Sequence, residues 1–310
     1  MKMKFLLPLT FSLCVQAAVG HDSGNPNHDH PSVQLGANRV SITVEVNYRF
    51  VRANGLPDHT PGTFPRRGNP NAISAQTHAF RMPAKPQVAE KPTPSGHASF
   101  GVALNGVPFD PATAEFWNND RRSGWNYEAK GGAVDLGLDE YNAHVQPNGA
   151  YHYHGLPVGM MKKLGGDAKK MLMVGYAADG FPIYTSFGLS NATNAASPLK
   201  KMRSSYQLKK GTRPNGPGGK YDGKFTEDYE FVKGSGDLDE CNGRFGVTPE
   251  FPQGSYHYYL TEEFPNISRL WRGTADSSFQ KGGPGGPGAG SRRGPGQGPP
   301  SGQRPPPPSR

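Results

Sequence analysis

The chain has 310 residues, with 42 glycines, 31 prolines and 34% hydrophobic residues. This disfavours long helices, since Gly and Pro are both poor in helix interiors, yet the length still allows a core of one or two domains. Lys2, Lys4 and the five bases of residues 281–310 account for seven of the +9 formal charge, leaving +2 on the remainder, too little for a nucleic-acid groove in the fold, which would need a basic face.

Residues 1–20 read as a secretory signal peptide: a basic start at Lys2 and Lys4, a short apolar run, then small residues, with cleavage fitting after Gly20 or Ala17. The run is too short to span a bilayer, and no other stretch is long and apolar enough to do so. The chain is therefore expected to be secreted or periplasmic. Loss of Cys14 with the signal leaves Cys241 as the one thiol, so no internal disulfide is expected. Residues 21–39 form a polar leader in which His21, His28 and His30 read as solvated groups with at most loose metal capture.

Val40 to Phe50 alternates apolar and polar residues and is expected to be one half-buried strand. Asn54-Gly55 is a turn signal. The Pro-rich arm from Leu56 to Gly96 is expected to wrap a core rather than build one. Gly101-Val-Ala-Leu-Asn-Gly-Val-Pro-Phe109 and Gly175-Tyr-Ala-Ala-Asp-Gly-Phe-Pro-Ile183 are two hairpin signals of the same design. Asp179 and Asn105 take the same place in them, which suits a turn residue that tolerates positive φ. Ser190 to Lys233, basic and Gly/Pro-rich, reads as a surface loop. Residues 281–310 are Gly/Pro/Arg-rich and expected to be disordered, with possible contact to an anionic envelope polymer.

The stretch with most chemistry is Asn142-Ala-His-Val-Gln-Pro-Asn-Gly-Ala-Tyr-His-Tyr-His154. On a strand, Tyr151 and Tyr153 share one face while His152 and His154 share the other, roughly 6.5–7 Å apart at Cα, and can converge on one ion. His144, before the Pro147-Asn148-Gly149 turn signal, can fold back as a third ligand and leave an open position of the kind catalytic metal sites keep. The competing reading is a half-buried strand whose histidines only pack and hydrogen-bond.

Three motifs recur in the same order. The two hairpins are offset by 74 residues, Leu138–Asn142 matches Leu238–Asn242 at 100, and Gly149–His154 matches Gly254–Tyr259 at 105. Two related halves, about 97–165 and 171–266, are expected to pack with pseudo-twofold symmetry. The copies differ: His154 matches Tyr259, and His257 is the one histidine of the second, able to join the cluster if the two strands lie near each other. Asp139 and Glu140, like Asp239 and Glu240, precede each strand and can orient an imidazole through its second nitrogen or cap a turn. Cys241 matches Tyr141, which suits a packed position better than a nucleophile. No Ser-centred elbow, phosphate loop or dinucleotide fingerprint is present.

These phrases resemble the YHYH-domain family of secreted bacterial proteins. The residues that carry the resemblance are GVALNGVPFDP (Gly101–Pro111), LDEYNAHVQPNGAYHYHGLP (Leu138–Pro157), GYAADGFPIY (Gly175–Tyr184), LDECNGRFGVTPEF (Leu238–Phe251) and GSYHYYLTEEF (Gly254–Phe264). Coverage is roughly residues 40–280. The resemblance implies secretion and a shared fold, and supplies neither a substrate nor catalytic roles.

The expected fold is mainly β, a β-rich α+β domain over 40–280 built from two similar halves with an N-terminal strand and arm. The leading functional expectation is a transition-metal site, zinc or copper, held by His144, His152 and His154, with His257 as a further candidate, and hydrolysis as the simplest chemistry. The alternative is a non-catalytic extracellular module in which Trp117, Trp125, Tyr127 and Trp271 bind a glycan or protein. Asn191-Ala-Thr and Asn266-Ile-Ser are glycosylation sequons if the host glycosylates.

Overall fold

The computed structural model describes residues 35–166 and 169–281. The expected signal peptide, the leader histidines His21, His28 and His30, and the tail beyond Lys281 lie outside the described residues. Val40–Glu45 (β1), Tyr48–Ala53 (β2) and His78–Pro83 (β3) form an antiparallel three-stranded sheet in that order. The single strand expected over Val40–Phe50 is thus two strands, folded back at Val46–Asn47, where Val46 takes φ 55°. The hairpin sets Val40 and Ile42 opposite Ala53 and Val51, so Tyr48 and Phe50 fall on the other face and the apparent continuous alternation changes phase at the turn. The expected buried face of β1 is also corrected: all six of its residues are exposed, and burial begins in β2 at Val51.

The arm after Leu56 contributes β3 and a further strand, Val88–Pro94 (β4). β4 tolerates Pro92 and Pro94 because it sits in a two-stranded ribbon, paired only with the last strand of the fold.

The central sheet draws on both hairpin signals and both Tyr-His-Tyr segments. In chain order these are Gly101–Ala103 (β5) and Pro108–Phe109 (β6), Ala143–Val145 (β7) and Tyr151–Tyr153 (β8), then Met173–Ala177 (β9) and Pro182–Tyr184 (β10). Two short ribbons follow: Phe187–Leu189 (β11) with Leu199–Lys201 (β12), and Tyr206–Leu208 (β13) with Tyr229–Phe231 (β14). Gly243–Gly246 (β15) and Ser255–Tyr259 (β16) complete the sheet, and Leu270–Gly273 (β17) returns to β4. One α-helix, Val158–Lys163 (α1), is present among the described residues.

The eight strands lie in the order β15-β16-β10-β9-β5-β6-β8-β7, which matches the same element types read from either edge. At the middle, Gly101 pairs with Ala177, Val102 with Tyr176 and Ala103 with Gly175, a register unchanged when the two hairpins exchange places. On each side an inner hairpin strand runs parallel to a Tyr-His-Tyr strand, Phe109 beside Tyr153 and Ile183 beside Tyr258. Both hairpins turn at a glycine with positive φ, Gly106 (82°) and Gly180 (89°), a conformation that L side chains resist. The core gathers Phe100, Phe109, Tyr151, Tyr153, Ile183, Tyr258 and Trp271, all at most 2% exposed.

The segment from Ser190 to Lys233 is more ordered than a surface loop. It carries β12, β13 and β14 and is pinned by Arg213, whose Nε and Nη2 bond the two oxygens of fully buried Asp228 at 2.7 and 2.6 Å. No helix among the described residues is long and apolar enough to cross a membrane. Of the two sequons, Asn266 is buried, with its amide donating to the Thr261 and Glu262 carbonyls.

Candidate metal centre

The β7–β8 hairpin is a short antiparallel pair in which His144 stands directly opposite His152. Strand alternation sends the tyrosines inward. The Tyr151 hydroxyl donates to Asp139 Oδ2 (2.7 Å), and the Tyr153 hydroxyl accepts from Asn105 Nδ2 (3.0 Å). With the tyrosines fixed, His152 is committed to the opposite face. His154 joins it one residue past the strand, held by its own N–H on the Asn142 carbonyl (2.7 Å). Asn142 can present that carbonyl because it adopts φ 59°, a left-handed conformation that Asn tolerates better than other L residues.

The three rings meet edge to face, with centroids 4.6 to 4.9 Å apart. His154 Nε2 lies 3.1 Å from His152 Nε2 and 3.1 Å from His144 Nε2. Three ligand atoms on a tetrahedral zinc would lie about 3.3 Å apart, given Zn–N bonds of about 2.0–2.1 Å. The protons explain why this arrangement could hold a cation. His144 Nδ1 faces the Leu136 carbonyl at 2.9 Å and His152 Nδ1 faces the Ala150 carbonyl at 3.1 Å. A carbonyl only accepts, so both Nδ1 atoms carry the hydrogen and both Nε2 atoms present lone pairs. His154 Nε2 can offer at most one hydrogen between them, leaving lone pairs facing each other in a buried place. A metal ion removes that conflict. Burial first, and then the neighbouring imidazoles, shift His152 and His154 well down from the usual histidine range; burial lowers His144 as well. All three are therefore in the neutral, ligating form at neutral pH.

The cluster is reached from a cavity of about 390 Å³ whose lining includes His144, His152, Asp110, Glu115, His97 and Arg121. Asp110, at the end of β6, is a site residue the sequence reading missed. Its Oδ2 is 4.0 Å from His152 Nε2, is 3.4 Å from Gln146 Nε2 and forms an ion pair with Lys281. Asp110 is 1% exposed, and burial raises its carboxyl above the ordinary range. A signal was present: comparing the two hairpin phrases one residue further sets Asp110 against Tyr184, a position where the two copies differ, as they do at His154 and Tyr259.

The other candidates are placed as follows. His257 is not brought to the cluster; it lies on β16, towards the opposite edge of the sheet, with its Nε2 2.9 Å from the Tyr259 hydroxyl. Asp139 accepts from the backbone N–H groups of Gly62, Tyr141 and Ala143 and from Tyr151. Asp239 does the same for Cys241, Gly243 and Tyr256. Both carboxylates close a turn and anchor a tyrosine, and His144 and His152 are oriented by backbone carbonyls instead. Glu140 lies beside Gly62, and Glu240 contributes its carbonyl, which accepts from the Tyr206 hydroxyl. Cys241 is fully buried and its thiol is pushed far up by burial, which removes it as a nucleophile. Trp125 and Trp271 are core residues, their indole N–H groups bonded to Asn215 Oδ1 and the Phe100 carbonyl.

A palindromic β sheet with three clustered imidazoles, two of them in the wall of a cavity, defines a β-rich protein with one candidate metal centre among the described residues. The sequence profile of the family described as YHYH protein matches residues 79–273, well over half of the chain. The chain belongs to that family. No match was found among curated proteins or among solved structures.

Proposed function

We propose that this protein is exported and holds one transition-metal ion, zinc or copper, through the Nε2 atoms of His144, His152 and His154. The observation that carries this reading is the pair of Nε2 lone pairs, fixed by the Leu136 and Ala150 carbonyls, that face a third imidazole nitrogen 3.1 Å away. Imidazole suits either ion. Bound there, the ion would supply Lewis acidity at the wall of a cavity that also presents the Asp110 carboxylate, which suits a hydrolytic reaction. Asp110, held by Lys281 and Gln146, would accept a proton or orient a ligand beside the ion. The reading of the chain as a glycan-binding module has less support, because two of its four aromatic candidates are buried in the core.

We also infer that the sheet is built from two copies of one unit, on the strength of the matched register at Val102 and Tyr176 and the matched strand order. The test of the metal reading is elemental analysis of protein lacking residues 1–34 and 282–310, purified without a metal-affinity tag. The expected result is close to one zinc or copper per chain, lost in the variant with alanine at positions 144, 152 and 154. No ion in the purified protein and none on reconstitution overturns it.

A further inference from the structure

The second half of the sheet repeats the geometry of the histidine cluster with different side chains. Arg244 stands directly opposite His257 on β15–β16, as His144 stands opposite His152 on β7–β8. His257 Nδ1 donates to the carbonyl two residues back, Ser255 at 3.0 Å, as His152 donates to Ala150. The Tyr259 N–H bonds the Asn242 carbonyl at 3.0 Å, as His154 bonds Asn142, and Asn242 shares the left-handed backbone of Asn142. The His257 and Tyr259 rings sit 5.1 Å apart at 63°, against 4.9 Å and 66° for His152 and His154. Three positions therefore correspond: His144 with Arg244, His152 with His257, His154 with Tyr259.

What differs is the supply of protons. Arg244 Nη2 donates to the Tyr259 hydroxyl at 3.2 Å, and that hydroxyl, 2.9 Å from the lone pair on His257 Nε2, donates to it. The chain guanidinium–hydroxyl–imidazole has one donor for each acceptor, and the positive charge is covalently attached. Arg244 Nη2 is further fixed by the Leu189 carbonyl at 2.6 Å. Space has been adjusted to match: a Cβ on Gly188 would lie 2.3 Å from the Tyr259 hydroxyl, so glycine there leaves room for a side chain longer than imidazole.

We propose that the second half carries a closed copy of the metal site, in which the Arg244 guanidinium takes the place of the ion, and that Arg244→His with Tyr259→His opens it to a second ion. This rests on the metal reading of the first half. It explains why one half of a near-symmetric sheet would bind metal and the other not: His257 keeps the shared orientation, while its two partners have been replaced by a fixed cation and a bridging hydroxyl.

Two reciprocal variants test it by metal content and thermal melting, without reference to any activity. The R244H/Y259H variant is expected to rise from one zinc or copper per chain to two. Placing alanine at 144, 152 and 154 in that background should return it to one. The H144R/H154Y variant, which builds the closed arrangement in the first half, is expected to lose its ion yet keep its Tm within about 5 °C of the metal-free parent. If the parent holds one ion and folded R244H/Y259H still holds one, the closed copy is wrong and the metal reading stands. If the parent holds none, the metal reading fails and the closed copy falls with it. Should R244H/Y259H not fold, H144R/H154Y decides: ion lost with the Tm kept supports the proposal, and an unfolded chain overturns it.

Discussion

Whether a histidine ligates or merely packs depends on what each of its two nitrogens meets. His152 and His257 are equivalent on the Nδ1 side, each bonded to a carbonyl two residues back. They part on the Nε2 side, where one meets imidazoles and the other a phenol. Three of the four candidate ligands were legible in the sequence as a cluster, because the two-residue period of a strand puts His152 and His154 on one face whatever the rest of the fold does. His257 was not separable from them, since strand order decides its distance from the cluster and no local pattern encodes strand order. Asp110 was hidden for the same reason: β6 reaches β8 only through a parallel pairing more than 40 residues away in sequence. The tyrosines of the motif owe their direction to carboxylates. Asp139 accepts three backbone N–H groups and the Tyr151 hydroxyl, so Asp139→Ala leaves several donors unpaired and is expected to cost about 3–5 kcal/mol, read as a lowered denaturation midpoint. If the site depends on that anchoring, metal uptake should weaken in the same variant while it is still folded.

At the scale of elements, turn chemistry was the dependable signal. Asn105-Gly106 and Asp179-Gly180 form hairpins as their composition requires, and both turn side chains have a second task, bonding the inner tyrosines Tyr153 and Tyr258. Where a turn has no glycine at its positive-φ position the reading fails, as at Val46–Asn47, where a β-branched residue at φ 55° gives no warning. Composition also misled for Ser190–Lys233, where Gly and Pro suggested a loop but a buried ion pair fixes the segment beside the β13–β14 ribbon. Arg213 bonds Asp228 twice and Asp222 once, and lies over the Phe225 ring at 5.0 Å. Arg213→Ala would strand a carboxylate with no exposure and is expected to destabilise by about 3–5 kcal/mol. Adding Asp228→Ala should recover part of that loss, because the larger share of the cost is the unpaired charge. Denaturant unfolding of the two single variants and the double variant measures the coupling. A double variant as unstable as the sum of the singles would mean that packing around the guanidinium, not charge pairing, is what matters.

For the molecule as a whole, the response to acid is set by buried groups that pull in opposite directions. His78 is 2% exposed, and burial lowers it to about 4. Unfolded, it would titrate near 6.5, so between those values the unfolded chain binds the extra proton. Stability from this group is complete above about pH 6.5 and is lost as pH falls towards 4, by about 3 kcal/mol in all. Asp179 is also buried, and desolvation raises it to about 6 despite bonds from Tyr258, Gly273 and Phe181. Here the folded chain binds the proton more tightly, so the sign reverses: stability is lost as pH rises from about 4 to about 6, again by about 3 kcal/mol. The two groups oppose each other over that window, and the cluster imidazoles and His257 add to the His78 side, so the profile of the parent protein does not separate them. Removing one at a time exposes the other. His78→Leu is expected to make the protein relatively more stable at pH 4.5 than at pH 7, compared with the parent, and Asp179→Asn to do the opposite, in unfolding free energies measured across pH 4 to 7. If both variants shift the profile in the same direction, these two residues are not what sets its slope, and the other buried groups, His257 and the imidazoles of the cluster among them, carry it.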